Sequence, residues 1–258
     1  MQHRPRKRFG QNFLHDPGVI QRIIDNIAPR PDDHLVEIGP GQGALTRPLL
    51  ELAGNLEVVE LDRDLIPLLR SQTAGLGELT IHSADALKFD FCALRQDEKK
   101  LRLVGNLPYN ISTPLLFHLM EQLDCIRDMH FMLQKEVVER ITAAPGSKAY
   151  GRLGIMLQYY CQAEQLFIVR PGAFNPPPRV ESAIVRLVPH ATPPVQVNNV
   201  KQLAWLVNRV FSQRRKMLRH SLKGVLDETS LTGLGIEPTL RPEQLDLEAF
   251  AKLANALD

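Results

Sequence analysis

Nowhere in this chain of 258 residues do apolar side chains run for anything near the ~18 that a membrane-crossing helix needs. The start is basic, with Arg4, Arg6, Lys7 and Arg8, but no apolar stretch follows, so it does not read as a secretory signal. Cysteine is scarce. Cys92, Cys125 and Cys161 stand more than thirty residues apart and form no CxxC. No disulfide framework is therefore expected, and a reducing, cytoplasmic setting is. The 8 histidines are dispersed without a pair at metal-ligand spacing, which predicts no metal site. Repeats and low-complexity tracts are missing as well. Charge of one sign is lacking overall: 31 basic residues against 29 acidic ones leave a net +2, which names no partner. Locally the balance breaks. Residues 1–10 carry no acid, and neither do residues 209–223, which hold Arg209, Arg214, Arg215, Lys216, Arg219 and Lys223.

The length suits one large domain or one domain with a small companion, and 44% hydrophobic content is enough for a sizeable core. Asp16 and Pro17 read as N-cap and first residue of a helix, with Val19, Ile20, Ile23, Ile24 and Ile27 at helical spacing. Strand-like runs then alternate with helices: 35–38, 56–61, 79–82, 101–104 and 129–133 as strands, with helices over 44–52, 65–69, 115–123, 135–143 and 152–161. That alternation predicts a parallel, doubly wound α/β sheet. No helix separates 166–169 from 182–188, so the sheet is expected to finish antiparallel. From Asn199 the pattern is purely helical. The expected division is a basic arm over 1–10, an α/β domain over 11–189 and a helical domain over 190–258.

Two loops at strand ends carry the chemistry. Gly39-Pro40-Gly41-Gln42-Gly43-Ala44 follows the first strand. It reads as G-x-G-x-x-A, a dinucleotide fingerprint, or from Glu37 as E-x-G-x-G-x-G, the first motif of methyltransferases that use S-adenosylmethionine. Either needs glycines for close backbone approach and an acid at the second strand's end, where Glu60 stands. The second loop, Gly105-Asn106-Leu107-Pro108-Tyr109, lies between a strand and a helix that Ser112 is placed to cap. Pro108 lacks an N–H and biases Leu107 toward an extended backbone. The Asn106 side-chain carbonyl and the Leu107 backbone carbonyl are then two acceptors beside the flat face of Tyr109. They suit a planar ring bearing an exocyclic amine. The bland alternative is a proline turn that docks a helix on the sheet. Asp85, after the third strand, is placed to accept from a cofactor's adenine amine. Together with the second loop it favours the methyltransferase reading, because hydride transfer has no evident use for an amine-holding loop.

The chain resembles the ribosomal RNA small-subunit adenine dimethyltransferases. The likeness lies in Lys7 to Leu14, Val36 to Gly43, Val59 to Asp62, Gly105 to Leu116, His130 to Val138, Ser147 to Leu153, Phe174 to Leu187 and Gln213 to Lys216. It implies a Rossmann-like class I methyltransferase sheet, mostly parallel with an antiparallel last strand, and a small all-helical C-terminal domain. It also implies S-adenosylmethionine as cofactor, held by Asn12, Leu14, Gly39, Gly41, Glu60, Asp85 and Asn106. The implied reaction places four methyl groups on two adjacent adenosines near the 3′ end of 16S rRNA in the 30S subunit. Catalysis would fall to Asn106, Leu107, Pro108 and Tyr109, with Phe174 over the other face of the base, although apart from the resemblance Phe174 reads rather as core. Arg4, Arg6, Lys7, Arg8, Arg214, Arg215, Lys216, Arg219 and Lys223 would meet RNA. In one continuous helix, Arg209, Lys216, Arg219 and Lys223 would form a stripe. A monomer without metal or membrane attachment is expected. Rival readings are a non-catalytic RNA-binding assembly or transcription factor on the same fold, a large-subunit rRNA methyltransferase and, more distantly, a nicotinamide oxidoreductase.

Overall fold

The computed structural model describes residues 12–95 and 97–257. The strands are β1 (Phe13–Leu14), β2 (His34–Ile38), β3 (Asn55–Val59), β4 (Glu78–His82), β5 (Leu101–Asn106), β6 (Ile126–Gln134), β7 (Cys161–Val169), β8 (Phe174–Asn175) and β9 (Ser182–Pro189). The main helices are α1 (Pro17–Ile27), α2 (Thr46–Ala53), α3 (Ile66–Thr73), α4 (Ser112–Met120), α5 (Lys135–Ile141), α6 (Arg152–Tyr160), α7 (Val200–Ser212), α8 (Leu218–Ser221), α9 (Glu228–Gly233) and α10 (Leu247–Asn255). Seven strands make one sheet in the order β4-β3-β2-β5-β6-β9-β7, and β1 pairs with β8 in a separate short ladder. The pairs β2·β3, β3·β4, β2·β5 and β5·β6 are parallel, while β9 runs antiparallel to β6. The doubly wound sheet and its antiparallel finish are as the sequence predicts.

The chain forms two compact units. One takes the described residues up to Val138 together with Glu164–Pro189; the other takes Glu139–Ala163 and the residues from His190 onward. Residues 139–163 thus leave the α/β domain to which the sequence reading assigns them. The reason is local bonding. The Gly146 N–H donates to the Glu243 carbonyl at 2.6 Å, Arg214 donates to the Lys148 carbonyl at 2.8 Å, and α6 packs on α7.

In the sheet unit, α1 starts where sequence places it: Asp16 accepts from the Val19 N–H at 2.9 Å, with Pro17 at the first helical position. Ile23, Ile24 and Ile27 bury its apolar face in a core that includes Leu35, Leu49, Leu56, Val104 and Ile184. Arg102 is the surprise of this region. In a run that reads from sequence as merely β-rich, it is buried beneath the end of α1. Its Nε lies 3.1 Å from both Asp128 oxygens, one Nη reaches Asp33 at 2.6 Å, and the other donates to the Ile27 carbonyl at 2.7 Å. One guanidinium therefore satisfies two buried carboxylates and a helix-end carbonyl.

Three further expectations are corrected. Cys92 and Cys125 are joined in a disulfide. Separation along the chain is no bar, because the segment after β4 folds back onto the turn before β6, where the Phe91 N–H donates to Gln122 Oε1 at 2.7 Å. Cys161 stays a buried thiol, and burial pushes its pKa up to about 12. Ser112 is not an N-cap: α4 begins with it, and its hydroxyl donates back to the Tyr109 carbonyl at 3.1 Å. Finally, no single helix runs through residue 223. α7 stops at Ser212, and the chain turns so that Leu218 and Leu222 are buried. The Arg209 guanidinium donates to the carbonyls of Ser221 and Lys223, each at 3.0 Å, so it braces the turn instead of heading a charged stripe.

Candidate active site

A cleft opens at the carboxyl ends of β2, β3, β4 and β5, where open α/β sheets bind ligands. It holds about 1100 Å³, its mouth included, and is lined by Asn12, Leu14, Gly39, Gly41, Glu60, Asp85, Asn106, Leu107, Pro108 and Tyr109 among others. Residues 97 positions apart in the chain, Asn12 and Tyr109, thus line one cleft.

The glycine loop sets the near wall. Gly41 has φ +58°, and a Cβ there would lie 3.2 Å from the Phe13 ring. Its N–H donates to Glu60 Oε2 at 3.2 Å, while Glu60 Oε1 accepts from the Asp62 N–H at 2.7 Å. Burial raises the Glu60 pKa, and these two N–H groups pull it back. Each carboxylate oxygen keeps a lone pair, so Glu60 fits a pair of ribose hydroxyls. Asp85 spends Oδ1 on the Leu87 N–H at 3.0 Å and lines the cleft. The cleft thus sets two carboxylates, Glu60 and Asp85, near a loop whose Gly39 and Gly41 add no side chain. Glu60→Ala removes one to two charge-assisted bonds at ~1.5–3 kcal/mol each. Calorimetry should show S-adenosylmethionine affinity down more than tenfold. Unchanged affinity in the folded variant rules out that role for Glu60.

Asn106 is oriented by its own neighbours. Its Nδ2 donates to the Asn12 carbonyl at 3.1 Å, which leaves Oδ1 as the group to meet a ligand. The Leu107 N–H is taken by the Met132 carbonyl at 3.2 Å, and its own carbonyl accepts nothing among the described residues. Two acceptors are thus available side by side. Tyr109 is held at both ends: Ser112 bonds its backbone carbonyl, and its hydroxyl lies 2.7 Å from Ser182 Oγ on β9. Ser182 is 0% exposed.

Phe174 is not brought to the cleft. It is 2% exposed, pairs with Leu14 in the β1·β8 ladder and belongs to the core cluster. Arg4, Arg6, Lys7 and Arg8 lie outside the described residues. In the helical unit, Arg215, Lys216 and Lys223 are exposed, whereas Arg214 is bonded to Lys148 and stands 3.9 Å from Glu243. Arg219 stands 3.9 Å from Glu228, so the acids missing from 209–223 are supplied by other segments.

Sequence reasoning passed over two groups. Ser182, 73 residues from Tyr109, gives no sequence signal. Glu37 does, as the first residue of the E-x-G-x-G-x-G pattern, yet it reads there only as part of a motif. In the structure it lines the cleft, is 1% exposed and accepts from Thr46 Oγ1 at 2.6 Å. Burial raises its pKa to about 8, against the Thr46 bond and with help from Glu60. At acid pH folded and unfolded chains both carry this proton. As pH rises from about 4.5 to about 8, only the unfolded chain loses it, so stability falls across that window. Glu37→Gln keeps the acceptor for Thr46 without the ionisation. Urea midpoints should show a flatter pH profile and a gain above ~1 kcal/mol at pH 8. Parallel profiles for the two proteins contradict this.

Fold and cleft are those of an α/β enzyme with room for a nucleoside-bearing cofactor at its strand ends, beside two carbonyl acceptors that suit an amine. The chain belongs to the ribosomal RNA adenine dimethylase family, whose model matches residues 2–258. It is 59% identical over 256 residues to ribosomal RNA small subunit methyltransferase A of Pseudomonas syringae pv. syringae, covering 99% of this chain and 96% of that one. The Pseudomonas aeruginosa protein of the same name gives the same identity and coverage. Among solved structures, a dimethyladenosine transferase from Plasmodium falciparum superposes with a TM-score of 0.80 at 27% identity, over 93% of this chain and 95% of that one. The 23S rRNA methyltransferase ErmE gives 0.75 at 26% identity, over 95% and 99%. The protein is an S-adenosylmethionine-dependent rRNA adenine dimethyltransferase. Among the described residues no helix is long and apolar enough to cross a membrane, and no acid, histidine and cysteine cluster could hold a metal.

Proposed function

We propose that the chain acts in the cytoplasm, as a monomer, on the small ribosomal subunit or its assembly intermediate. There it converts two adjacent adenosines near the 3′ end of 16S rRNA to dimethyladenosines. The observation that carries the chemistry is the paired acceptors, Asn106 Oδ1 and the Leu107 carbonyl, beside Tyr109. An adenine amine is a weak nucleophile because its lone pair is delocalised into the ring. Accepting both its hydrogens favours a pyramidal nitrogen with a localised pair. S-adenosylmethionine, when bound, supplies a methyl already activated on a sulfonium. The chain's own task is orientation: Glu60 fixes the ribose, Asp85 the cofactor's adenine, and Tyr109 stacks on the target base, which has left its own stack. No side chain has to remove a proton before attack.

The 23S enzyme shares the fold, so the choice of the small subunit rests on the 59% identical relatives that are named for it. The amine-holding loop reads one base and no sequence. Selection therefore falls to phosphate contacts that position a folded RNA. Arg215, Lys216 and Lys223 are the exposed candidates in the helical unit, and the arm at 4–8 is a second. Labelled S-adenosylmethionine is incubated with immature small subunits, large subunits and a short hairpin bearing the target adenosines, followed by mass spectrometry. Dimethyladenosine is expected on the small subunit and at negligible level on the others. Arg215→Ala with Lys216→Ala should lower the log–log salt slope of particle binding by about two. Equal modification of hairpin and particle removes the case for an RNA grip outside the cleft.

A further inference from the structure

The chain contains one tryptophan, and it is not in a core. Trp205 lies on α7, whose buried residues are Leu203, Leu206, Val207 and Val210. Trp205 stands off that face and is 46% exposed. Its helical neighbours four residues before and after are Lys201 and Arg209. The Arg209 guanidinium carbon is 5.5 Å from the centre of the indole ring. That guanidinium cannot swing away freely, because it donates to the carbonyls of Ser221 and Lys223. Among the described residues none of Lys201, Arg209 and Lys223 stands in an ion pair. The place is thus a wide aromatic surface, fixed on a helix, with an immobilised cation over the ring and Lys201 one helical turn away.

We infer that Trp205, with Lys201, Arg209 and Lys223, is a stacking platform for an unpaired RNA base. The charges would hold the phosphates on either side of that base. This rests on the reading of the protein as one that grips rRNA outside its cleft. Two features favour RNA over a protein partner. Lysine is depleted from the centres of protein–protein contacts. Base stacking on an aromatic beside basic groups is, by contrast, the common device for single-stranded nucleic acid. The inference adds a contact that depends on the π-face of a base and not on charge alone, so it selects for single-stranded segments.

Because Trp205 is the sole tryptophan, its fluorescence reports this site in the unmodified, full-length protein. It is titrated with a single-stranded oligoadenylate of about a dozen nucleotides and, separately, with inorganic polyphosphate of matched charge. The RNA should quench the emission saturably by more than half, and polyphosphate should leave it nearly unchanged. Anisotropy of a labelled oligonucleotide should show Trp205→Ala binding about five- to a hundredfold more weakly. Trp205→Phe keeps a stacking face and should stay within about threefold of the parent. Equal quenching by RNA and polyphosphate would reduce the site to charge and overturn the proposal. So would a folded Trp205→Ala that binds RNA like the parent; that result would assign the exposed indole to a protein contact. Methyl transfer to small subunits is measured on the same variants. Quenching by RNA without any transfer would leave this site standing and sink the enzymatic reading; transfer without quenching would do the reverse.

Discussion

Asn106→Ala should lose at least ~100-fold in single-turnover methyl transfer while cofactor affinity changes by less than the transfer rate does. Two things vanish together: the acceptor for one amine hydrogen and the bond to the Asn12 carbonyl that ties the loop to the chain's start. Asn106→Asp keeps an oxygen acceptor but cannot donate to Asn12, so it should fall between Ala and the parent. The neighbouring tyrosine refines the test. From sequence, Tyr109→Phe should be mild, because the stacking face survives. The bond from its hydroxyl to fully buried Ser182 changes that expectation. Phe leaves Ser182 without its partner, at ~1–3 kcal/mol, and frees the ring's far end. Tyr109→Phe and Ser182→Ala should therefore share one defect, and the double variant should be little worse than either. Tyr109→Ala should be worse than all three, since it alone loses stacking. Additive losses in Tyr109→Phe/Ser182→Ala would mean that the serine does not position the ring.

Arg102→Met should destabilise the protein by ~3–5 kcal/mol, because buried Asp128 loses its bonds from Arg102 and keeps only His130 at 3.5 Å and Arg127 at 3.9 Å nearby. Asp33 keeps two bonds, one from the Arg127 guanidinium and one from the Arg30 N–H, each at 3.0 Å, so Asp128 is the more exposed to the loss. Adding Asp128→Leu to Arg102→Met should restore part of the stability, which a urea titration would read. If the single variant costs under ~1 kcal/mol, the buried cluster is not what holds α1 to the sheet. The cluster also predicts acid sensitivity. Burial pushes Asp128 up, but nearby His130 and Arg102 outweigh it and hold its pKa below the usual carboxylate range. Its contribution is thus complete above the ordinary aspartate value and is lost as pH falls through the lowered one.

The sheet was legible because its signals are local. Each strand is a short β-rich run, and each loop that builds the cleft directly follows one. Glu60, Asp85 and Asn106 stand at or just past the end of a strand, which is why the sequence singles them out. What escaped depends on which segments meet. Arg102 looks like a surface residue until α1 lies over it. The Cys92–Cys125 bridge needs a fold-back that no periodicity announces. The stretch 209–223 contains neither Pro nor Gly, so nothing in it shows that the helix stops at Ser212. Phe174 was read into the cleft only through the family resemblance, whereas its pairing with Leu14 turns it into the core.

A Cβ at Gly105 would sit 2.5 Å from the Ile38 carbonyl oxygen. Two parallel strands run side by side here, and one delivers the glycine loop while the other delivers Asn106. Their separation is set by a hydrogen-bonded ladder at ~4.8 Å and not by side chains packed between them. The distance from cofactor loop to amine-holding loop is therefore gauged by backbone geometry, whose tolerance is far finer than that of rotamers. Variation in neighbouring side chains can reshape the entrance for a different RNA without detuning the gap across which the methyl group must travel.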